Sequence, residues 1–301
     1  MTPGYEFVQL DVFTRTPLTG NPLAIFSDAR GLTDQQMQAL AREMNLSETT
    51  FVLPREPKVE AEEGKRVRIF TVEEELPFAG HPTLGTALYL HNTESGKADR
   101  ILLDLNVGKI GVQFTPDSSD RSEKVSGNVF GEMRQRDPEF GPTLARDNVA
   151  GVIGTGEVAS EWPSQVVSTG LPFAIVPIRD PKAFANLRPD LARVEALLEG
   201  TGARFLYFVY PERHDGRLEV RARMFFYLGE DPATGSAAGC AASWMVQHGL
   251  AKSDEQVLIR QGVEAGRPSE IFVRATREGE RVTDVRVGGY AVEILRGTVN
   301  L

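Results

Sequence analysis

The chain has 301 residues, with 33 Lys and Arg against 42 Asp and Glu, and one cysteine, Cys240. A net charge of −9 repels phosphate and argues against a nucleic-acid or anionic-membrane partner, and a lone cysteine excludes an intrachain disulfide framework. No apolar stretch reaches the roughly 20 residues that span a bilayer, and Met1–Glu6 lacks the basic start and apolar core of a secretory signal, so the expected compartment is the cytoplasm.

The first predicted strand is Phe7–Phe13, with Val8, Leu10 and Val12 on one side, and Leu23–Phe26 follows it. A helix opens at Thr33, which has capping-box spacing to Gln36, and carries Met37, Leu40, Ala41 and Met44 on one face. It should stop near Asn45, ahead of strands at Phe51–Leu53 and Val67–Thr71. A second helix opens at His81-Pro82-Thr83-Leu84-Gly85-Thr86-Ala87, and strands Ile101–Leu105 and Ile110–Phe114 come after it. Then come Phe173–Ile178, a helix from Asp190 with Leu191, Val194, Leu197 and Leu198 inward, and strands Phe205–Tyr210 and Leu218–Phe225. The fourth helix is predicted to open at Asp231-Pro232-Ala233-Thr234-Gly235-Ser236-Ala237 and to end near His248, with Gly249 beyond it. Its small, uncharged body (Ala237 to Ala242) predicts burial on every side. Strands at Val257–Arg260, Ile271–Thr276, Val282–Val287 and Val292–Leu295 close the chain. So many strands with so few helices argue against a doubly wound sheet.

The helix openings at His81 and Asp231 share one pattern and lie 150 residues apart. Thr19-Gly20-Asn21-Pro22-Leu23-Ala24-Ile25 and Thr169-Gly170-Leu171-Pro172-Phe173-Ala174-Ile175 repeat at the same offset, and Arg68-Ile69-Phe70 has a looser echo in Arg223-Met224-Phe225. Two unrelated motifs at one offset indicate a duplicated α/β unit. The expected fold is α+β, two similar lobes, each a curved, mostly antiparallel sheet around a central helix. The lobes are placed at 1–136 and 137–301, with a terminal strand near 291–299 pairing back onto the first. The changeover between copies is expected in Pro116–Gly127 or Asp137–Pro142. Duplicated lobes favour a ligand at their seam. Two helix N-termini there, each with Pro at its first position, would receive a carboxylate.

Glu48 is expected between a helix end and a strand, beside small hydroxyl residues and the apolar Phe51-Val52-Leu53. Partial desolvation there would suit a general acid/base, although a solvated glutamate at a loop edge is the commoner arrangement. His81, flanked by Gly80 and Pro82, reads as a neutral donor or relay, or equally as a structural histidine. Asp231 before Pro232 reads as a helix N-cap, or as a substrate ligand opposite His81. Four histidines and one cysteine show no metal-ligand spacing, and Gly-x-Ser-x-Gly, Walker A and dinucleotide fingerprints are absent. No metal or cofactor is expected, and Cys240, mid-helix among alanines, reads as core.

These residues together resemble the phenazine-biosynthesis PhzF-like family, within the diaminopimelate-epimerase-type fold. The resemblance runs through Asp11-Val12-Phe13, Thr19–Pro22, Asn45–Phe51, Glu75–Thr83, Ser168–Pro172, Glu230–Ala237, Gln261-Gly262 and Gly266–Ser269. It implies cofactor-independent proton transfer, a small carboxylate-bearing substrate and a homodimer. It places the family's acid/base on Glu48, its supporting residues on His81 and Asp231, and substrate contacts on Ser47, Gly80, Gly235 and Ser236. In phenazine-pathway members the reaction isomerises a dihydro-hydroxyanthranilate; two-base relatives use a cysteine pair, which this chain lacks. Met224–Gly229 is shorter and more aromatic than the family's usual loop. An amino-acid-type epimerase or racemase, and a non-catalytic metabolite-binding or interaction protein, are the competing readings.

Overall fold

The computed structural model describes residues 4–93, 98–116, 129–226 and 229–301. The chain divides into two compact units, one of residues 1–134 with 288–301, the other of residues 135–287.

The first unit contains β1 (Gly4–Val12), β2 (Asn21–Phe26), α1 (Asp34–Met44), β3 (Glu48–Leu53), α2 (Pro57–Glu63), β4 (Lys65–Phe70), β5 (Glu75–Leu76), α3 (Gly80–Thr93), β6 (Arg100–Leu105), β7 (Gly108–Pro116) and β8 (Val129–Arg134). The second contains β9 (Glu139–Leu144), α4 (Arg146–Ile153), β10 (Ser164–Ser168), β11 (Pro172–Pro177), α5 (Pro181–Ala185), α6 (Leu191–Leu198), β12 (Leu206–His214), β13 (Arg217–Phe226), β14 (Gly229–Glu230), α7 (Gly235–Gln247), β15 (Val257–Gln261) and β16 (Ser269–Glu278). Strand β17 (Arg281–Gly289) ends the second unit, and β18 (Ala291–Asn300) returns to the first, where it pairs antiparallel with β1.

Pairing order makes the duplication explicit. In the first unit β2 runs parallel to β3, β3 antiparallel to β4, and β4 parallel to β6, which turns back into β7. In the second, β11 is parallel to β12, β12 antiparallel to β13, and β13 parallel to β15, which turns back into β16. Each second parallel crossover passes through one central helix, α3 or α7. Helix α3 packs on β1, β2, β3, β6 and β8, and α7 on β10, β11 and β16. Gly235 to Val246 of α7 are all buried, because a helix of Ala, Gly, Ser and Cys has no polar face to offer water. Sheets wrapped around a helix form the core of both units.

Helix α1 shows how local signals set an element. The Thr33 side chain accepts from the Gln36 N–H, Gln36 returns the bond, and Asn45 closes the helix in the left-handed region. Its buried Met37, Leu40 and Ala41 cover Phe26, Phe51 and Phe70 on the outer side of β2 to β4. Strand β3 is therefore buried on both faces, α1 against one and α3 against the other.

Several expectations need correction. Leu191 is 41 % exposed, since α6 packs through Val194 and Leu198, with Leu197 partly buried against the same cluster. Helices α2, α4 and α5 and strands β5, β8, β9, β10 and β14 were not expected from the sequence. Within Asp137–Pro142, an expected place for the changeover between copies, residues 139–142 are part of strand β9. Pro116–Gly127 lies outside the described residues except for Pro116, as do Tyr227 and Leu228 of the aromatic loop.

Candidate active site

In the first unit the site starts from the alternation of β3. Phe51 and Leu53 face α1, so Thr50 and Glu48 face α3. The Thr50 and Thr86 hydroxyls are 2.9 Å apart and pin the strand to the helix. Two residues back along β3 and five back along α3, Glu48 Oε2 and His81 Nδ1 are 3.6 Å apart. The Glu48 side chain is 17 % exposed and that of His81 5 %. Burial pulls the imidazole pKa down to about 3, and the Pro22 carbonyl opposes the shift only in part. The ring is neutral near pH 7, and its Nε2 is buried without a hydrogen-bond partner among the described residues. A polar atom hidden from water in this way costs free energy unless a ligand satisfies it.

Neighbouring segments close in tightly around this pair. Gly85 brings α3 so near the sheet that a Cβ would lie 2.6 Å from Val12 and 2.7 Å from Leu23. The link from β1 to β2 is a compact turn in which Asp11 Oδ2 accepts the Leu18 N–H at 2.7 Å and Gly20 takes φ +69. Gly80 is buried as the first residue of α3, and Ser47 is half-buried just before β3.

In the second unit Asp231 is 7 % exposed and lies before α7, not on it. The helix starts at Gly235 with Thr234 in the capping position, which overturns both the N-cap reading of Asp231 and the placing of Pro232 at the first helical position. Pro82 is likewise the third residue of α3 rather than its first. The two openings are thus alike in sequence but out of step as helices: His81 stands inside its helix, Asp231 four residues ahead of its own. The cause is Gln261, whose side-chain amide bonds the Asp231 carbonyl, the Thr234 N–H and the Thr234 hydroxyl and so holds 231–234 as a turn. Thr234 in turn donates to Asp231 Oδ2 at 2.6 Å. Gly235 and Ser236 are buried in the first turn of α7, and Gln135 Nε2 donates to the Gly235 carbonyl at 2.9 Å.

The copies differ at the position of the acid. Strand β2 aligns Ala24 with Thr49, and β11 aligns Ala174 with Leu206, so Phe205 is the counterpart of Glu48. One unit carries a carboxylate there and the other a phenyl ring. Cys240 is fully buried, within 3.5 Å of the Thr169 hydroxyl, and burial pushes its thiol up to about 11. It is a protonated core group, unsuited to act as a thiolate base. Among the described residues no cluster of His, Cys, Asp and Glu could hold a metal ion.

Sequence reasoning missed a pair of ion pairs that set up both openings. Arg68 forks onto Glu75 at 2.7 and 2.6 Å, and Arg223 forks onto Glu230 at 2.9 and 2.7 Å. Both pairs are seven residues apart, a repeat that was available in the sequence beside the Arg-x-Phe echo. Each clips a strand to the short segment leading to His81 or Asp231.

The model of the phenazine biosynthesis-like protein family, PhzC-PhzF, matches residues 10–297. The chain belongs to the PhzC-PhzF family. It is similar to the trans-2,3-dihydro-3-hydroxyanthranilate isomerase of Pseudomonas aeruginosa, with 36 % identity over 99 % of this chain and 100 % of that one. Among solved structures it resembles a "Predicted Epimerase" of Pseudomonas aeruginosa, with TM-score 0.81, 36 % identity, and 98 % and 99 % of the two chains covered. A PhzF-family protein of Bacillus anthracis shares the fold at TM-score 0.85 and 24 % identity, over 99 % of this chain and 100 % of the other. The chain is accordingly a PhzF-like isomerase with an epimerase-type α+β fold. No helix among its described residues is long and apolar enough to cross a membrane.

Proposed function

We propose that this isomerase moves a carbon-bound proton on a small carboxylate-bearing metabolite, with Glu48 as the general acid/base. The observation that carries the reading is the Glu48–His81 pair: a mostly buried carboxylate 3.6 Å from an imidazole that burial keeps neutral. A neutral ring leaves Glu48 free to accept a proton without a competing imidazolium, and it offers Nε2 to a substrate polar group. The Glu48 carboxylate takes a proton from carbon, the electron pair is delocalised into the conjugated acid, and the carboxyl, exchanging its proton with solvent, delivers a proton to another carbon. No oxidant or reductant is required.

In this reading Asp231 binds the same substrate, Ser47, Gly80, Gly235 and Ser236 line it, and the amide-rich start of α7 receives its carboxylate. The first compound to test is trans-2,3-dihydro-3-hydroxyanthranilate, the substrate in the name of the Pseudomonas aeruginosa relative. The working form is proposed to be a homodimer, as the family resemblance implies, and its place the cytoplasm, as expected from the sequence.

Turnover of that compound in heavy water should give product carrying deuterium at the newly protonated carbon. Glu48→Gln should abolish isomerisation and exchange while substrate binding stays within about tenfold, as expected for loss of a general base. Full activity in Glu48→Gln would overturn the role. Exchange with a change of optical rotation but no absorbance change would favour an epimerase. Binding without exchange for any acid tested would favour a non-catalytic protein.

A further inference from the structure

Behind Asp231 lies a chain of buried polar groups whose hydrogen bonds have only one consistent direction. Gln261, the last residue of β15, is fully buried, and its amide makes four bonds. Oε1 accepts from the Tyr207 hydroxyl at 2.9 Å and from the Thr234 N–H at 3.1 Å. Nε2 donates to the Asp231 backbone carbonyl and to Thr234 Oγ1, both at 2.8 Å.

Two of those partners are backbone groups of fixed polarity. An N–H only donates and a carbonyl only accepts, so together they decide which end of the amide is oxygen. With the amide fixed, Thr234 Oγ1 receives a proton from Nε2, and its own proton goes to Asp231 Oδ2, 2.6 Å away. At the far end, Tyr207 is held as the neutral phenol by burial first, then by the charge of Asp231, so it keeps the proton it donates. Gly262 lets the chain turn at this point: at φ +76, a Cβ there would lie 2.3 Å from the Arg267 carbonyl and 2.6 Å from that of Pro232. Glu230, beside Asp231 in sequence, is forked by Arg223 and does not compete.

We infer that Gln261 and Thr234 are positioning residues that hold Asp231 as a hydrogen-bond acceptor, so that it recognises an N–H or O–H donor on the substrate, an amine above all, and not a second carboxylate. This rests on the proposed contact between Asp231 and substrate.

The test labels aspartate carboxyls of the full chain with ¹³C and identifies Asp231 by its loss in Asp231→Asn. Removing the donated hydrogen bond removes a stabiliser of the carboxylate. The Asp231 titration midpoint should rise by about one pH unit in Thr234→Val, rise also in Gln261→Met, and stay within about 0.3 in Thr234→Ser. Binding is read with 3-hydroxyanthranilate against 3-hydroxybenzoate, the same acid without its amine. Wild type and Thr234→Ser should favour the amine-bearing acid by about tenfold, and Thr234→Val should lose that preference.

An unmoved Asp231 midpoint in folded Thr234→Val overturns the inference. Equal binding of the two acids by wild type overturns the recognition it assigns. The wild type decides even if the variant fails to fold, because the Thr234 hydroxyl proton must be protected from exchange and coupled to the Asp231 carboxyl. Free exchange of that proton sinks the idea. If neither acid binds the wild type, the proposed function fails, while the titration still judges the positioning.

Discussion

Burying His81 has a consequence for stability as well as for chemistry. In the unfolded chain the ring takes up a proton near its ordinary value of 6.5; in the folded protein it does so only at about 3. Between those values the unfolded state binds more protons, so stability rises with pH across the window and is lost as pH falls. From pH 6.5 to pH 5 this ring should cost about 2 kcal/mol. Urea unfolding should show that loss in wild type and a smaller one in His81→Gln. An identical pH dependence in the two proteins would mean that the ring is not buried neutral. In the proposed reaction the same ring would serve Glu48 for the reason it is costly: it has no charge, and its Nε2 has no hydrogen-bond partner among the described residues.

At the scale of elements, two clips of the same chemistry should differ in strength. The Arg223 side chain is 1 % exposed and Glu230 12 %, whereas Arg68 and Glu75 are 16 % and 25 %. Arg223 also donates to the Phe184 and Ala185 carbonyls, so removing it strands a carboxylate and two carbonyls. Arg223→Ala should cost about 3–5 kcal/mol, as for a broken buried pair. Arg68→Ala should cost nearer 1 kcal/mol, since its partners keep access to water. Urea midpoints measure both, and equal losses would contradict this account. Gly85 gives a second element-scale expectation. Alanine favours helix by up to about 1 kcal/mol, but its methyl group would press on fully buried Val12 and Leu23, an overlap worth about 1–3 kcal/mol. Gly85→Ala should therefore destabilise, against its helix propensity, and a higher melting temperature would show that the contact relaxes.

For the whole molecule, the two units differ in how the chain supplies them. The second is one continuous stretch, 135–287, while the first needs both ends of the chain. Strand β18 pairs with β1 from Gly4↔Asn300 to Val12↔Ala291, and β1 carries the buried Val8, Leu10 and Val12 that α3 packs against. A chain ending at Gly289 should lose hydrogen-exchange protection in β1 and β2 while β11 and β12 keep theirs. Equal protection in both units would show that β1 is secure without its C-terminal partner.

What the sequence determined alone was whatever repeats at short range or at one fixed offset. The capping box of α1, the all-round small residues of α7 and the two echoing motifs exposed the duplicated α+β plan; the shared motif singled out His81 and Asp231 as candidates, and the family resemblance pointed to Glu48. What only the tertiary structure decided was which side chains meet. The alternation of β3 brings Glu48 to His81, 33 positions along the chain, and nothing periodic records that distance. Gln261 reaches Tyr207 and Thr234 across 54 and 27 positions, and by holding 231–234 as a turn it delays α7 to Gly235 although the motif reads as a helix start. Hydrophobic period and capping act over a few residues, whereas buried polar bonds are set by packing, which leaves no mark in local sequence.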